Sequence, residues 1–304
     1  MIRNQEHVLT VPTSDGLRLA ARRLGRVDAP ATIVYLHGIL TDSSCWDAVT
    51  RHLHDTLDGG IVQIAYDQRG YGHSGRPNRH QSTTLHQLAD DLDAVMTHAV
   101  GAVVLVTHSV GSLVAQAYAE LYPDRAAALS GIVLLNGTAE LPCLPSQFVH
   151  LSRLRHGRLD FATASAHAML QRRLTAGTPY SETPAELGDA GCHVDPRVLA
   201  DVLGAITEFR LEAATAATLR AVPTFVVAAA NDQIVPPSQS VRLADAIWGD
   251  YDIVPASGHL LPQSDPEAAA AFILRALDIA YRTDADRLRG PGGSDSPSPR
   301  VDRP

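Results

Sequence analysis

The sequence has 304 residues, 45% hydrophobic and 19% charged, enough apolar material for one large core or a core with an inserted subdomain. Its formal net charge is −8 and no block of Lys or Arg stands out, which disfavours a nucleic-acid or anionic-membrane partner. Cys45, Cys143 and Cys192 are too few, and wrongly spaced, for a disulfide framework or a zinc site. No stretch approaches the about 20 apolar residues of a membrane span. Met1–Val11 lacks the apolar run of a signal peptide, so a soluble, cytoplasmic protein is expected.

Taken in order, short apolar runs alternate with helical patterns, as in repeated βα units around a mostly parallel sheet. Val8–Val11 and Leu17–Leu24 flank Ser14-Asp15-Gly16 and read as an antiparallel hairpin. Ile33–His37 is a β-branched run that stops at Gly38, and Ile61–Tyr66 is another that stops at Asp67. Val103–Thr107 reads as a buried strand, followed at once by a helix from Val110 to Leu121 that ends before Pro123. Ile132–Leu135, Phe225–Ala229 and the weaker Asp252–Val254 complete eight strands. An Ala-rich helix spans Pro266–Tyr281.

Between the sixth and seventh strands the pattern changes. Gln147–Leu154, Ala164–Leu174, Pro196–Ile206 and Glu208–Leu219 have helical periodicity, and prolines punctuate them. The block is too long for a single crossover and is expected to form a helical cap; the alternative is that its helices pack on one face of the sheet. The expected organisation is a core of residues 1–138 and 220–283 with a cap at 139–219. Residues 284–304, rich in Gly and Pro, are expected to be a tail too polar to offset its ordering entropy.

Four strand ends carry the chemistry. Thr107-His108-Ser109-Val110-Gly111 joins a strand to a helix, a sharp turn that presents the Ser109 hydroxyl at the carboxyl end of the sheet. The Val110 N–H then lies at a helix N-terminus, where free donors favour a developing oxyanion. His37-Gly38 can place the Ile39 N–H opposite it. Asp232, in Asn231-Asp232-Gln233-Ile234-Val235-Pro236, follows the seventh strand, and His259, in Ser257-Gly258-His259, follows the eighth. Taken singly, each has a plainer role: Ser109 as a helix cap, Asp232 as a turn residue and His259 as one structural histidine among fourteen. In the order Ser, Asp, His, each after a strand, they fit a nucleophile, an orienting acid and a general base.

With these motifs the chain resembles the α/β-hydrolase superfamily, in particular its capped bacterial esterase, lipase and peroxidase-like members, from about Val8 to Ile279. Asp67-Gln68-Arg69-Gly70-Tyr71-Gly72-His73-Ser74 matches the family's Asp-x-Arg-Gly-x-Gly-x-Ser stretch, where Asp67 and Arg69 are expected to tie loops together. The resemblance implies an eight-stranded, mostly parallel sheet flanked by helices, with the cap inserted after the sixth strand. It implies Ser109, Asp232 and His259 as catalytic residues, and the Ile39 and Val110 N–H groups as the oxyanion hole.

Two departures stand out. Thr107 replaces the usual Gly, which puts strain or a reshaped pocket at that turn. Asn136 occupies the strand end where some members carry the acid, and an amide cannot serve as that anion. Members that open epoxides or remove halide use an Asp nucleophile, so Ser109 points instead to a small, mostly apolar ester, lactone or thioester. Such chemistry needs neither metal nor organic cofactor. His108, Phe148, Leu151 and Met169 are candidate substrate contacts, with packing as the competing role. Acyl transfer, C–C bond hydrolysis and cofactor-free perhydrolysis use the same triad, and some members of the fold only bind or steer ligands.

Overall fold

The computed structural model of the protein describes residues 6–78, 80–141 and 193–289. Eight strands form one sheet in the order β1-β2-β4-β3-β5-β6-β7-β8. They are β1 His7–Pro12, β2 Arg18–Leu24, β3 Ala31–Leu36, β4 Val62–Tyr66, β5 Ala102–His108, β6 Gly131–Leu135, β7 Thr224–Ala229 and β8 Asp250–Val254. The β1–β2 and β2–β4 pairs are antiparallel. The others are parallel, with Leu36 opposite Thr107 and His108 opposite Leu135.

These central strands are buried along their whole length, which is why they read as mostly apolar runs without alternation, broken by buried Thr32, Gln63 and Thr224. Their residues nevertheless divide between two cores. Ile33, Tyr35, Val104, Val106, Val133 and Val227 face one layer, and Val34, Leu36, Leu105, Ile132, Leu134 and Val226 face the other. The first layer is made by α1 (Asp47–Thr56), with Val49 and Leu53, and by the long C-terminal helix. The second is made by α2 (Leu85–Met96), α3 (Gly111–Leu121), α4 (Pro123–Ala127), α5 (Pro196–Glu208), α6 (Ala213–Leu219) and α7 (Pro237–Ile247). Thr84 and Gln87 form a capping box on α2, and Asp195 caps α5 ahead of Pro196.

The helices expected at Gln147–Leu154 and Ala164–Leu174 lie outside the described residues, as do Phe148, Leu151 and Met169. Pro196–Ile206 is helical, as α5. The following helix starts only at Ala213, because Phe209 and Glu212 are extended. Helix α6 packs against α3, α4 and α7, in the layer that covers this face of the sheet. A short helix, α8 (Leu261–Ser264), precedes α9, which runs Pro266–Arg289 and passes well beyond Tyr281 into the residues expected to form the tail. No Gly or Pro interrupts the sequence before Gly290, and Arg282 bonds Asp278 one turn back at 2.7 Å. Among the described residues no helix is long and apolar enough to cross a membrane, and no group of three metal-ligating side chains converges.

Candidate active site

The ends of β3, β5, β6, β7 and β8 lie at one edge of the sheet, and the loops leaving them carry Ile39, Ser109, Asn136, Asp232 and His259. At the end of β5 the chain reverses at Ser109, whose φ of +53° falls in the left-handed region that non-glycine residues avoid. Its N–H donates to the Leu135 carbonyl at 2.9 Å, which anchors the turn to β6. Thr107 sits in regular strand geometry, fully buried, so the conformational strain falls on Ser109 and not on the β-branched residue. The Thr107 hydroxyl has no hydrogen-bond partner among the described residues.

Helix α3 begins immediately after the turn. A Cβ on Gly111 would stand 2.9 Å from the Leu36 carbonyl oxygen, so glycine lets the helix start against the end of β3. Gly38 gives the same freedom from the other side, where a Cβ would meet His108 Nδ1 at 2.7 Å and Ser109 Cβ at 3.2 Å. The Gly38 carbonyl accepts from His37 Nδ1 at 2.8 Å and from the Thr41 hydroxyl at 3.0 Å. In a trans peptide the next N–H points the opposite way, so these two bonds turn the Ile39 N–H away from them. Neither Ile39 N–H nor Val110 N–H has an acceptor among the described residues. His37 Nε2 accepts from the Gln68 N–H at 3.0 Å, which places its proton on Nδ1. Burial holds the His37 ring below its usual pKa, and so neutral.

The structure brings the three side-chain candidates together. His259 Nε2 is 2.9 Å from Ser109 Oγ, and His259 Nδ1 is 2.7 Å from Asp232 Oδ2. All three residues are buried. Asp232 Oδ1 accepts the Ile234 and Val235 N–H groups at 2.8 and 2.9 Å. The Asn231 N–H donates to the Ser257 carbonyl at 2.9 Å, tying the loop after β7 to the loop that carries His259. Burial pushes the Asp232 carboxyl up, but the adjacent His259 and the two backbone donors outweigh it and hold Asp232 below the ordinary carboxylate value. An anionic Asp232 fixes the proton on His259 Nδ1 and leaves Nε2 free to accept the Ser109 hydroxyl proton.

His108 stands behind the histidine. It is 1% exposed, its ring centroid is 5.0 Å from that of His259, and its Nε2 donates to the His259 carbonyl at 2.7 Å. Burial, reinforced by the neighbouring His259, pushes His108 down to about 3, so the ring is neutral. His108 thus holds the His259 backbone through this bond. One contact in the site is invisible in the sequence pattern: Asn136 Nδ2 donates to Asp232 Oδ2 at 2.6 Å.

A model of the alpha/beta hydrolase family matches residues 33–272. The chain belongs to that family. Among related sequences, Epoxide hydrolase A of Mycobacterium tuberculosis is 33% identical over 135 residues, which cover 43% of this chain and 38% of that protein. The chain therefore spans less than half the length of that relative. Among solved structures, an esterase from Thermogutta terrifontis superposes with a TM-score of 0.73 at 24% identity, covering 91% of this chain and 99% of that one. The enol-lactonase of Burkholderia xenovorans LB400 superposes with a TM-score of 0.71 at 25% identity, covering 89% and 100%.

In this alpha/beta hydrolase the Asp67–Ser74 stretch does tie loops together. Asp67 accepts the Ser43 and His73 N–H groups at 2.9 and 2.8 Å. Arg69 makes a two-pronged pair with fully buried Asp91, at 2.7 and 2.6 Å, and reaches Asp15 in the β1–β2 turn at 2.9 Å. These contacts brace the β4 loop beside His37.

Proposed function

We propose that this alpha/beta hydrolase is a serine hydrolase that cleaves a carboxylic ester, lactone or thioester of a small, mostly apolar substrate through an acyl-enzyme on Ser109. The observation that carries the reading is the continuous hydrogen-bond chain from Ser109 Oγ through His259 to Asp232, with Ser109 held at φ +53°. His259 Nε2 takes the hydroxyl proton as Oγ bonds to the acyl carbon, and Asp232 stabilises the imidazolium that forms. The carbonyl oxygen, now negative, is received by the Ile39 and Val110 N–H groups; loss of one such donor typically costs about 100- to 1,000-fold in rate. The intermediate collapses as His259 returns the proton to the leaving oxygen or sulfur. Water, deprotonated by the same His259, then attacks the acyl-serine, and Ser109 leaves with its proton restored.

The nucleophile also separates this reading from the epoxide hydrolase relative. A carboxylate that opens an epoxide becomes an ester, which water can cleave. A serine hydroxyl would become an ether with no carbonyl to attack, and turnover would stop after one event. The enol-lactonase neighbour supports an activated cyclic ester as one substrate class. A panel of p-nitrophenyl esters of increasing acyl length, an enol lactone and styrene oxide tests this, with wild type compared against Ser109→Ala. Ester or lactone turnover that vanishes in Ser109→Ala is expected; epoxide opening that survives the substitution would overturn the reading.

A further inference from the structure

We infer that Asn136 is a positioning residue of the acid–base pair: by sharing Asp232 Oδ2 with His259, its amide weakens the hold of Asp232 on the His259 Nδ1 proton. The inference rests on the serine-hydrolase reading for its kinetic consequence, but its geometry stands alone. Oδ2 receives two donors, Asn136 Nδ2 at 2.6 Å and His259 Nδ1 at 2.7 Å. The atom of Asn136 that faces an anionic oxygen at this distance is its NH2, because only that end of the amide donates. The opposite end, Oδ1, is buried with no partner among the described residues. A side chain placed only to satisfy local polar groups would not leave its acceptor orphaned, so the bond to Asp232 holds it there.

The backbone that presents this side chain is left-handed. Asn136 has φ +51°, and it follows the residue whose carbonyl anchors Ser109. Its own N–H donates to the Val227 carbonyl at 2.7 Å. The next residues are fixed in turn: the Ser240 hydroxyl donates to the Gly137 carbonyl at 2.8 Å, and Gln116 Nε2 to the Thr138 carbonyl at 2.8 Å. The end of β6 is thus a rigid bridge between the turn of the nucleophile and the turn of the acid, and Asn136 is its side chain on the acid side.

The consequence follows from competition for one oxygen. A donor on Oδ2 draws off negative charge, so Oδ2 attracts the Nδ1 proton less and stabilises the imidazolium less. The other groups that face the pair among the described residues do not carry this effect. Asp232 Oδ1 is taken by two backbone N–H groups, Ser109 meets the far nitrogen of His259, and His108 from β5, with His37 beyond it, is neutral and holds the His259 carbonyl.

The test is Asn136→Leu, which keeps the branched shape, excludes water and donates nothing; Asn136→Gly, which accepts φ +51° freely, serves if the leucine variant does not fold. Two readouts are taken from each. The acidic limb of the kcat/KM profile for p-nitrophenyl acetate is expected to move to higher pH by about 0.5–1, a roughly three- to tenfold change in proton affinity. The low-field proton resonance of His259 Nδ1–H is expected to move further downfield. A role confined to packing predicts the reverse, since a loosened His259–Asp232 contact moves the resonance upfield and leaves the limb in place or lowers it. An unmoved or upfield resonance overturns the inference. If the wild type hydrolyses no ester, the serine-hydrolase reading fails, and the resonance still decides the role of Asn136.

Discussion

Asp232→Asn changes one atom and should nearly abolish turnover while leaving the fold in place. The carboxylate accepts four hydrogen bonds: Ile234 and Val235 N–H on Oδ1, His259 Nδ1 and Asn136 Nδ2 on Oδ2. An amide at position 232 has one acceptor oxygen, and the two backbone donors, which cannot move, claim it. The NH2 group is then turned toward His259 Nδ1 and Asn136 Nδ2, both donors at 2.7 and 2.6 Å. His259 escapes the clash by moving its proton to Nε2, so that Nδ1 accepts from the new amide. Nε2 then cannot take the proton from Ser109, and a wrong tautomer of this kind costs roughly 10,000-fold in kcat. Asn136 can rotate its orphaned Oδ1 toward the new NH2, so the loss of stability should stay within about 1–2 kcal/mol. Initial rates on p-nitrophenyl butyrate, with a parallel thermal melt, measure both. Activity within tenfold of wild type in a folded variant would show that Asp232 does not set the tautomer.

Three further outcomes follow from the same contacts. Gly111→Ala puts a carbon 2.9 Å from the Leu36 carbonyl oxygen; about 1–3 kcal/mol of stability should be lost in denaturant titration, with a fall in kcat as Val110 shifts away from Ile39, and a neutral variant would mean that the close approach of α3 to β3 is unimportant. Arg69→Leu strands the fully buried Asp91 and should cost about 3–5 kcal/mol, whereas Arg69→Leu/Asp91→Leu should recover part of the loss; a double variant no better than the single would refute the uncompensated-charge argument. His108, with a folded value of about 3 against 6.5 for a free histidine, must take up a proton to unfold, so it contributes stability that is complete above pH 6.5 and lost progressively as the pH falls toward 3. Melting temperature should therefore decline from about pH 6.5 downward in wild type, and decline less between pH 7 and 5 in His108→Gln; parallel curves would remove His108 from the linkage.

The sheet could be read from the sequence because both its faces are covered. A strand buried on two sides carries few polar residues, so Ile33–His37, Val103–Thr107 and Phe225–Ala229 announce themselves as mostly apolar runs. Strand β8 is an edge strand, exposed enough to carry Asp250 and Asp252, and only its end at Val254 shows the pattern. Helix α1 escapes notice for a related reason: Val49 and Leu53 are its only buried apolar residues, too small a stripe to see between arginine, histidines and aspartates. Helix α7 buries Gln239 and Ser240 beside Leu243 and Ile247, so its inner face is partly polar.

That Ser109, Asp232 and His259 would meet was legible because each follows a strand, and position at a strand's carboxyl end is itself a physical constraint. Asn136 was visible only as the wrong residue for an acid. Its left-handed backbone and its bond to Asp232 arise from two loops meeting across the end of the sheet, which no local pattern encodes. The same holds for His108, whose burial follows from the close approach of the Gly38 loop. At Thr107 the sequence offers strain or a reshaped pocket; the left-handed backbone falls instead on Ser109, because the strand continues through His108 before the chain reverses.

Labelling with a fluorophosphonate tests the central claim most directly, because such a probe forms a stable bond only to an activated serine. Intact mass followed by peptide mapping should show one adduct per wild-type chain, located on Ser109, and none on Ser109→Ala or His259→Ala of the same fold. A folded wild type that resists the probe, or an adduct that persists in Ser109→Ala, would contradict the account.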